Sequence, residues 1–194
     1  MIALLALVLI DSAHASCYIP VYTLDESVPS GFEDFFHDEV IHALSVWNGL
    51  NIPVTLTYMG ETSQRQIDGA VTVGWSTDTG IYPKSIANTY NTVWPDGAIT
   101  ASRVELLSTK PWCSESSVYD CFNMENVLIH ELGHVLGLTH VEDMTSVMRS
   151  SEPKGWALPI RPNEDDVGKL TSLYPPDESG CGVKGQVRAW RTPH

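Results

Sequence analysis

Basic side chains are scarce in this chain: 11 Lys and Arg stand against 24 Asp and Glu, a formal net charge of −13. Nucleic acid is therefore excluded as a partner, because contacts to phosphate need Lys and Arg in excess. Attachment to an anionic membrane surface is disfavoured for the same reason. Cysteine is scarce too, and four in a chain of 194 residues cannot build a disulfide-framed miniprotein, so the core must come from packing. The apolar run at residues 1–10 is half of the ~20 residues that a membrane span needs, so stable membrane insertion is not expected. Internal repeats and dividing linkers are absent. What is present, six Trp, seven Tyr and 43% hydrophobic residues, suits one packed domain rather than a disordered chain.

The apolar start is followed by the small-x-small triplet Ala13-His14-Ala15, which reads as a secretory signal peptide cleaved after Ala15. The expected organisation is a signal peptide over residues 1–15, a domain over 16–176 and a tail over 177–194. The expected location is secreted, extracellular or periplasmic, and the expected state is a monomer. Export permits disulfides. Cys113 and Cys121 lie close together in a polar segment, whereas Cys17 and Cys181 lie near opposite ends of the exported chain. Four cysteines allow three pairings and the sequence does not choose among them; Cys113–Cys121 with Cys17–Cys181 is the expectation carried forward.

Alternating apolar residues predict strands over residues 20–24, 53–59, 70–75 and 98–107. Ser30 stands three before Glu33, the pattern of a capping box, and opens a helix on which Phe36, Val40, Ala43, Leu44 and Trp47 recur at three- and four-residue intervals. That helix should stop near Asn48-Gly49. Residues 76–97, rich in Ser, Thr, Asn, Asp, Pro and Gly, read as a long loop. Periodicity predicts a second helix over 126–136, ended by Gly137. A third runs over 163–173, with Asn163 as cap and Glu164, Asp165 and Asp166 in the first turn. The order gives an α+β fold.

The chemistry is concentrated in the second helix, in His130-Glu131-Leu132-Gly133-His134. Residues four apart share a helix face, so the two imidazoles can bind one metal ion. Gly137 lets the chain leave the helix sharply and bring His140 back as a third ligand. Three neutral imidazoles with one open position describe a catalytic zinc site rather than a structural one. Zinc lowers the pKa of its water from 15.7 toward ~7, and Glu131, one position round the helix, can take the remaining proton as general base. Three imidazoles and a carboxylate on a helix otherwise made of Val127, Leu128, Val135 and Leu136 would be costly without a metal to satisfy them.

The stretch HELGHVLGLTH, from His130 to His140, resembles the long zinc-binding signature of the metzincin clan, and its wording resembles the matrixin branch, the family of matrix metalloproteinase catalytic domains. Met148, in Thr145-Ser146-Val147-Met148, is similar in spacing to that family's methionine turn beneath the zinc. Asp165-Asp166-Val167 with Leu173-Tyr174 resembles its last helix, and AVTVGW resembles the strand before its S-shaped loop. The resemblance implies a zincin-like α+β fold: a twisted, mostly parallel five-stranded sheet, three helices, and a zinc-site cleft that takes an extended peptide along an edge strand. It implies a zinc endopeptidase acting on peptide or protein substrates, with zinc held by His130, His134 and His140. The competing expectation is a secreted, zinc-containing binding or inhibitory module without turnover, which would not need Glu131. The strand over 98–107 is the expected rim for substrate, and residues 149–162 the expected wall of the pocket beyond the scissile bond.

The chain also departs from that family. Residues 76–97 contain no His, so the second, structural zinc of the matrixin S-loop is not expected. Asp78 and Asp96 with nearby carbonyls are instead a candidate Ca2+ site. Arg149-Ser150-Ser151 follows the methionine where the family has Pro and Tyr, so side-chain preference does not transfer. No conventional propeptide fits between Ala15 and Pro20. Cys181-Gly182-Val183 echoes the core of the matrixin latency switch at the other end of the chain, and a thiolate on zinc is the alternative to its disulfide.

Overall fold

The computed structural model describes residues 17–78, 84–95, 97–113, 120–151, 154–155 and 161–175. The expected signal peptide, the tail and Cys181 lie outside these residues.

Five strands form one sheet: β1 (Cys17–Thr23), β2 (Val54–Glu61), β3 (Val71–Ser76), β4 (Ala87–Val93) and β5 (Ile99–Leu107), in the order β2-β1-β3-β5-β4. All neighbours are parallel except β4, which runs antiparallel to β5. Parallel neighbours need a crossover, and α1 (Glu33–Asn48) supplies it between β1 and β2. Its predicted apolar stripe, Phe36, Val40, Ala43, Leu44 and Trp47, is buried with Ile19, Val21, Val54 and Leu56 from the strands. Asn48 then joins the helix end to β2, its side chain donating to the Leu56 carbonyl and accepting from the Leu56 N–H, both at 2.8 Å. The fold is the mostly parallel α+β sheet that the sequence implies.

Three local expectations are corrected. Ser30 does not cap α1: Phe32 stands at the N-cap with no side-chain bond. Gly31, at φ 93°, turns the chain, and its N–H donates to the Glu33 carboxylate at 2.5 Å, so the acid closes the turn one residue later than the capping pattern suggests. Residues 76–97 are not all loop, because β4 lies within them. Residues 98–107 cannot be the substrate rim, since β5 is flanked by β3 and β4; among the described residues the sheet edge on that side is β4.

The small strands β6 (Trp112–Cys113) and β7 (Phe122–Asn123) pair beside the disulfide Cys113–Cys121, as expected. Cys17 is also disulfide-bonded. Directly after β7 comes α2 (Met124–Val135), where the Asn123 side chain caps by accepting from the Asn126 N–H at 2.8 Å. Trp47 of α1 donates its indole N–H to the Ile129 carbonyl at 3.0 Å, fastening the two helices together. The last helix, α3 (Glu164–Leu173), starts with a capping box in which Asn163 and Asp166 each accept the other's backbone N–H. Among the described residues no helix is long and apolar enough to cross a membrane.

On α1, Glu39 is 8% exposed, and its carboxyl is raised from 4.5 to about 7, chiefly by burial and then by the charges of Glu125 on α2 and Asp38. A folded-state value above the unfolded one means that stability is fully present below pH 4.5 and is lost as pH rises through 7. Glu39→Gln should therefore stabilise the fold by about 1–2 kcal/mol at pH 8 and have no effect at pH 4. Thermal unfolding of both proteins at the two pH values checks this.

Candidate metal centre

His130 and His134 sit one turn apart on α2, a helix otherwise packed into the core. The helix stops because Gly137 adopts φ 94°: its N–H donates to the His134 carbonyl at 3.0 Å, and the Leu138 N–H donates to the Gly133 carbonyl at 2.9 Å. This paired closure is what a left-handed residue after a helix end permits. It turns the chain back, so that His140 Nε2 stands 3.1 Å from His130 Nε2 and 3.1 Å from His134 Nε2.

Hydrogen bonding at the other ring nitrogens decides what these contacts are. His130 Nδ1 is 2.7 Å from the Val147 carbonyl and His134 Nδ1 is 2.8 Å from the Leu138 carbonyl. A carbonyl only accepts, so both Nδ1 atoms carry the proton and both Nε2 atoms present bare lone pairs. A neutral His140 has one proton at most on Nε2 and cannot donate it to both neighbours. Three converging nitrogens with too few protons suit a cation. On a tetrahedral ion at 2.0–2.1 Å, imidazole nitrogens stand roughly 3.3 Å apart, close to the observed spacing. Burial pushes all three rings below the ordinary imidazole range, His130 to about 3, so they are neutral at neutral pH, the form that binds metal. Among the described residues this is the only group of three or more such side chains that could hold a metal ion.

Glu131 is buried beside this cluster. Burial raises its carboxyl to about 7, against the opposing effect of the Thr89 hydroxyl, which donates to Oε2 at 2.5 Å. The cluster opens into a cleft of about 950 Å³ between β4 and α2, with Arg149, Ser150 and Ser151 on a further side. The beginning of the expected pocket wall therefore lines the cleft, while residues 152–153 and 156–160 lie outside the described part. Asp78 is exposed and Asp96 lies outside the described residues.

Met148 is fully buried against α2, where a Cβ on Gly133 would strike its sulfur and crowd the Trp47 ring. Gly133 thus admits the methionine beneath the histidine-bearing turn. The turn itself is held by a residue whose reach the sequence did not reveal. Asp166 of α3, fully buried, accepts from the Ser146 hydroxyl at 2.6 Å and from the Val147 N–H at 3.1 Å. The carbonyl of that same Val147 orients His130. Thr89 and Asn91 also reach the site, from a strand whose sequence has the composition of a loop; Asn91 Nδ2 donates to the His134 carbonyl at 2.9 Å. Alternating polar residues in ANTYNTV were the one signal available for them.

Asp166→Ala should leave the Ser146 hydroxyl and the Val147 N–H buried without an acceptor and break the half of the α3 capping box that the Asn163 N–H makes. The expected loss is about 2–4 kcal/mol, read as a lower denaturation midpoint in urea.

Comparison with known proteins adds the relationship. The sequence model of a family described as Matrixin matches residues 21–175. The chain is 34% identical over 61 residues to Metalloendoproteinase 1 of Glycine max, a match covering 31% of this chain and 20% of that protein. It is 30% identical over 90 residues to Probable matrix metalloproteinase 095L of Invertebrate iridescent virus 3, covering 45% and 22%. With Interstitial collagenase A of Mus musculus it shares 36% over 73 residues, covering 38% and 15%. The chain spans about a fifth or less of the length of these relatives.

Proposed function

The chain belongs to the matrixin family, and from that premise we propose that it is an exported, zinc-dependent endopeptidase that hydrolyses peptide bonds of protein substrates. The observation that carries this reading is the histidine cluster: three Nε2 atoms that converge with bare lone pairs, two of them held in that tautomer by backbone carbonyls. His130, His134 and His140 would hold the ion. When bound, zinc supplies Lewis acidity, lowering the pKa of a water from 15.7 toward ~7 and polarising a carbonyl.

The remaining steps fall to the chain's own residues. Among the described residues β4 has a neighbouring strand on one side only, so an extended peptide can add along its outer edge as a further strand. Glu131, carrying its charge, takes a proton from the attacking water and passes it to the departing amine nitrogen. Its value of about 7 lies near neutral pH, where proton transfer in both directions is most useful. A binding module without turnover would gain nothing from a carboxylate buried at this cost beside the cluster. The Cys113–Cys121 disulfide accords with an oxidising, extracytoplasmic destination.

The test is cleavage of a quenched fluorescent peptide library by the zinc-loaded protein. Glu131→Gln is expected to keep one zinc per chain by metal analysis and to lower kcat by about 10²–10⁴-fold. His134→Ala should lose the zinc as well. Cleavage that persists undiminished in Glu131→Gln or in excess chelator overturns the assignment.

A further inference from the structure

We propose that Thr89 is a positioning residue for Glu131: its hydroxyl holds one carboxylate oxygen in place so that the other is presented to the attacking water. The proposal rests on the hydrolytic reading above and goes beyond it, since nothing in the zinc-binding signature includes β4. Two donors on that strand reach α2 from alternate positions. Thr89 Oγ1 is 2.5 Å from Glu131 Oε2 and 3.2 Å from the Glu131 carbonyl, while Asn91 Nδ2 is 2.9 Å from the His134 carbonyl. The Thr89 hydroxyl has one proton, and the shorter contact assigns it to Oε2. Oε2 is thereby engaged, leaving Oε1 as the oxygen that accepts the water's proton.

The holder is itself rigid. A β-branched side chain is stiff at χ1. The strand register is set by β5, with Thr89 opposite Val104 and Asn91 opposite Ser102. The Ser102 hydroxyl also bonds to Asn91 Oδ1, which directs the Asn91 amide toward the end of α2. The strand proposed to receive substrate along one edge thus fixes the base through its side chains, so peptide and carboxylate are placed by a single element.

Thr89→Val keeps the shape and removes the hydroxyl, and Thr89→Ser keeps the hydroxyl without the methyl. With both zinc-loaded, Thr89→Val should lower kcat about 10–100-fold, the usual range for a residue supporting a site from behind. KM should stay within about twofold, and Thr89→Ser should recover most of the rate. A second readout does not depend on turnover. A simple hydroxamate passes its acidic proton to the neighbouring carboxylate, whereas a simple thiol would bind as the thiolate with its proton released to the buffer, making no call on that carboxylate. Thr89→Val should weaken the hydroxamate about 10-fold and leave the thiol and the zinc content unchanged. Equal kcat in Thr89→Val and wild type, failure of Thr89→Ser to recover, or a parallel fall in both ligand affinities overturns the proposal. If the wild type cleaves no peptide, the hydrolytic reading fails, and the hydroxamate–thiol comparison still decides whether Thr89 holds the carboxylate.

Discussion

The cleft depends on how α2 ends. Six residues beyond His134 on an uninterrupted helix, at about 100° per residue, a side chain would point roughly 120° away from that ring and lie a turn and a half further on. Gly137, at φ 94°, ends the helix before that happens, at a position where any side chain would be strained. The same turn brings the Leu138 carbonyl to His134 Nδ1. Helix termination, the tautomer of the second ring and the arrival of the third are therefore one event, written in the seven residues from His134 to His140.

The first ring is governed from farther away. His130 is oriented by Val147, Val147 is held by Asp166, and Asp166 is the third residue of α3 and part of its cap. A helix remote in sequence thus reaches the cluster through a buried carboxylate with three donors: the Ser146 hydroxyl and the N–H groups of Val147 and Asn163. Met148 fills the space between the turn and α2, so a side chain at Gly133 would force the methionine to shift. From the opposite side β4 bonds to the same helix at Glu131 and His134. The site is a helix face gripped on two flanks.

How much of this was legible follows from the length scale of each interaction. The His130–His140 stretch, the apolar stripe of α1, the Asn163 cap and four of the five strands depend on residues within a turn or two, and could be read along the chain. Cys113–Cys121 could be read as a short loop. The strand β4 could not, because Asn88 and Asn91 disfavour strands, the apolar alternation that marks the other strands is missing from ANTYNTV, and the segment takes its conformation by pairing with β5. Missing it moved the expected rim one strand inward. Ser30 failed as a cap because Gly31 at positive φ displaced the helix start, a backbone preference that the capping pattern does not register. The reach of Asp166 to Ser146 spans 20 positions, and that of Thr89 to Glu131 spans 42, beyond any periodic pattern.

An open sheet edge is indiscriminate: its unpaired amides and carbonyls would accept a strand from a second copy of the chain as readily as a visiting peptide. The composition of β4 weighs against the first outcome. Its outer half, Asn91, Thr92 and Val93, is exposed and mostly polar, so stacking another copy there would bury little oil. The bulge between Thr92 and Val93 also bends the far end away from a flat template. The polarity that hid this segment from a reading of apolar alternation thus also makes it a poor surface for stacking oil against oil.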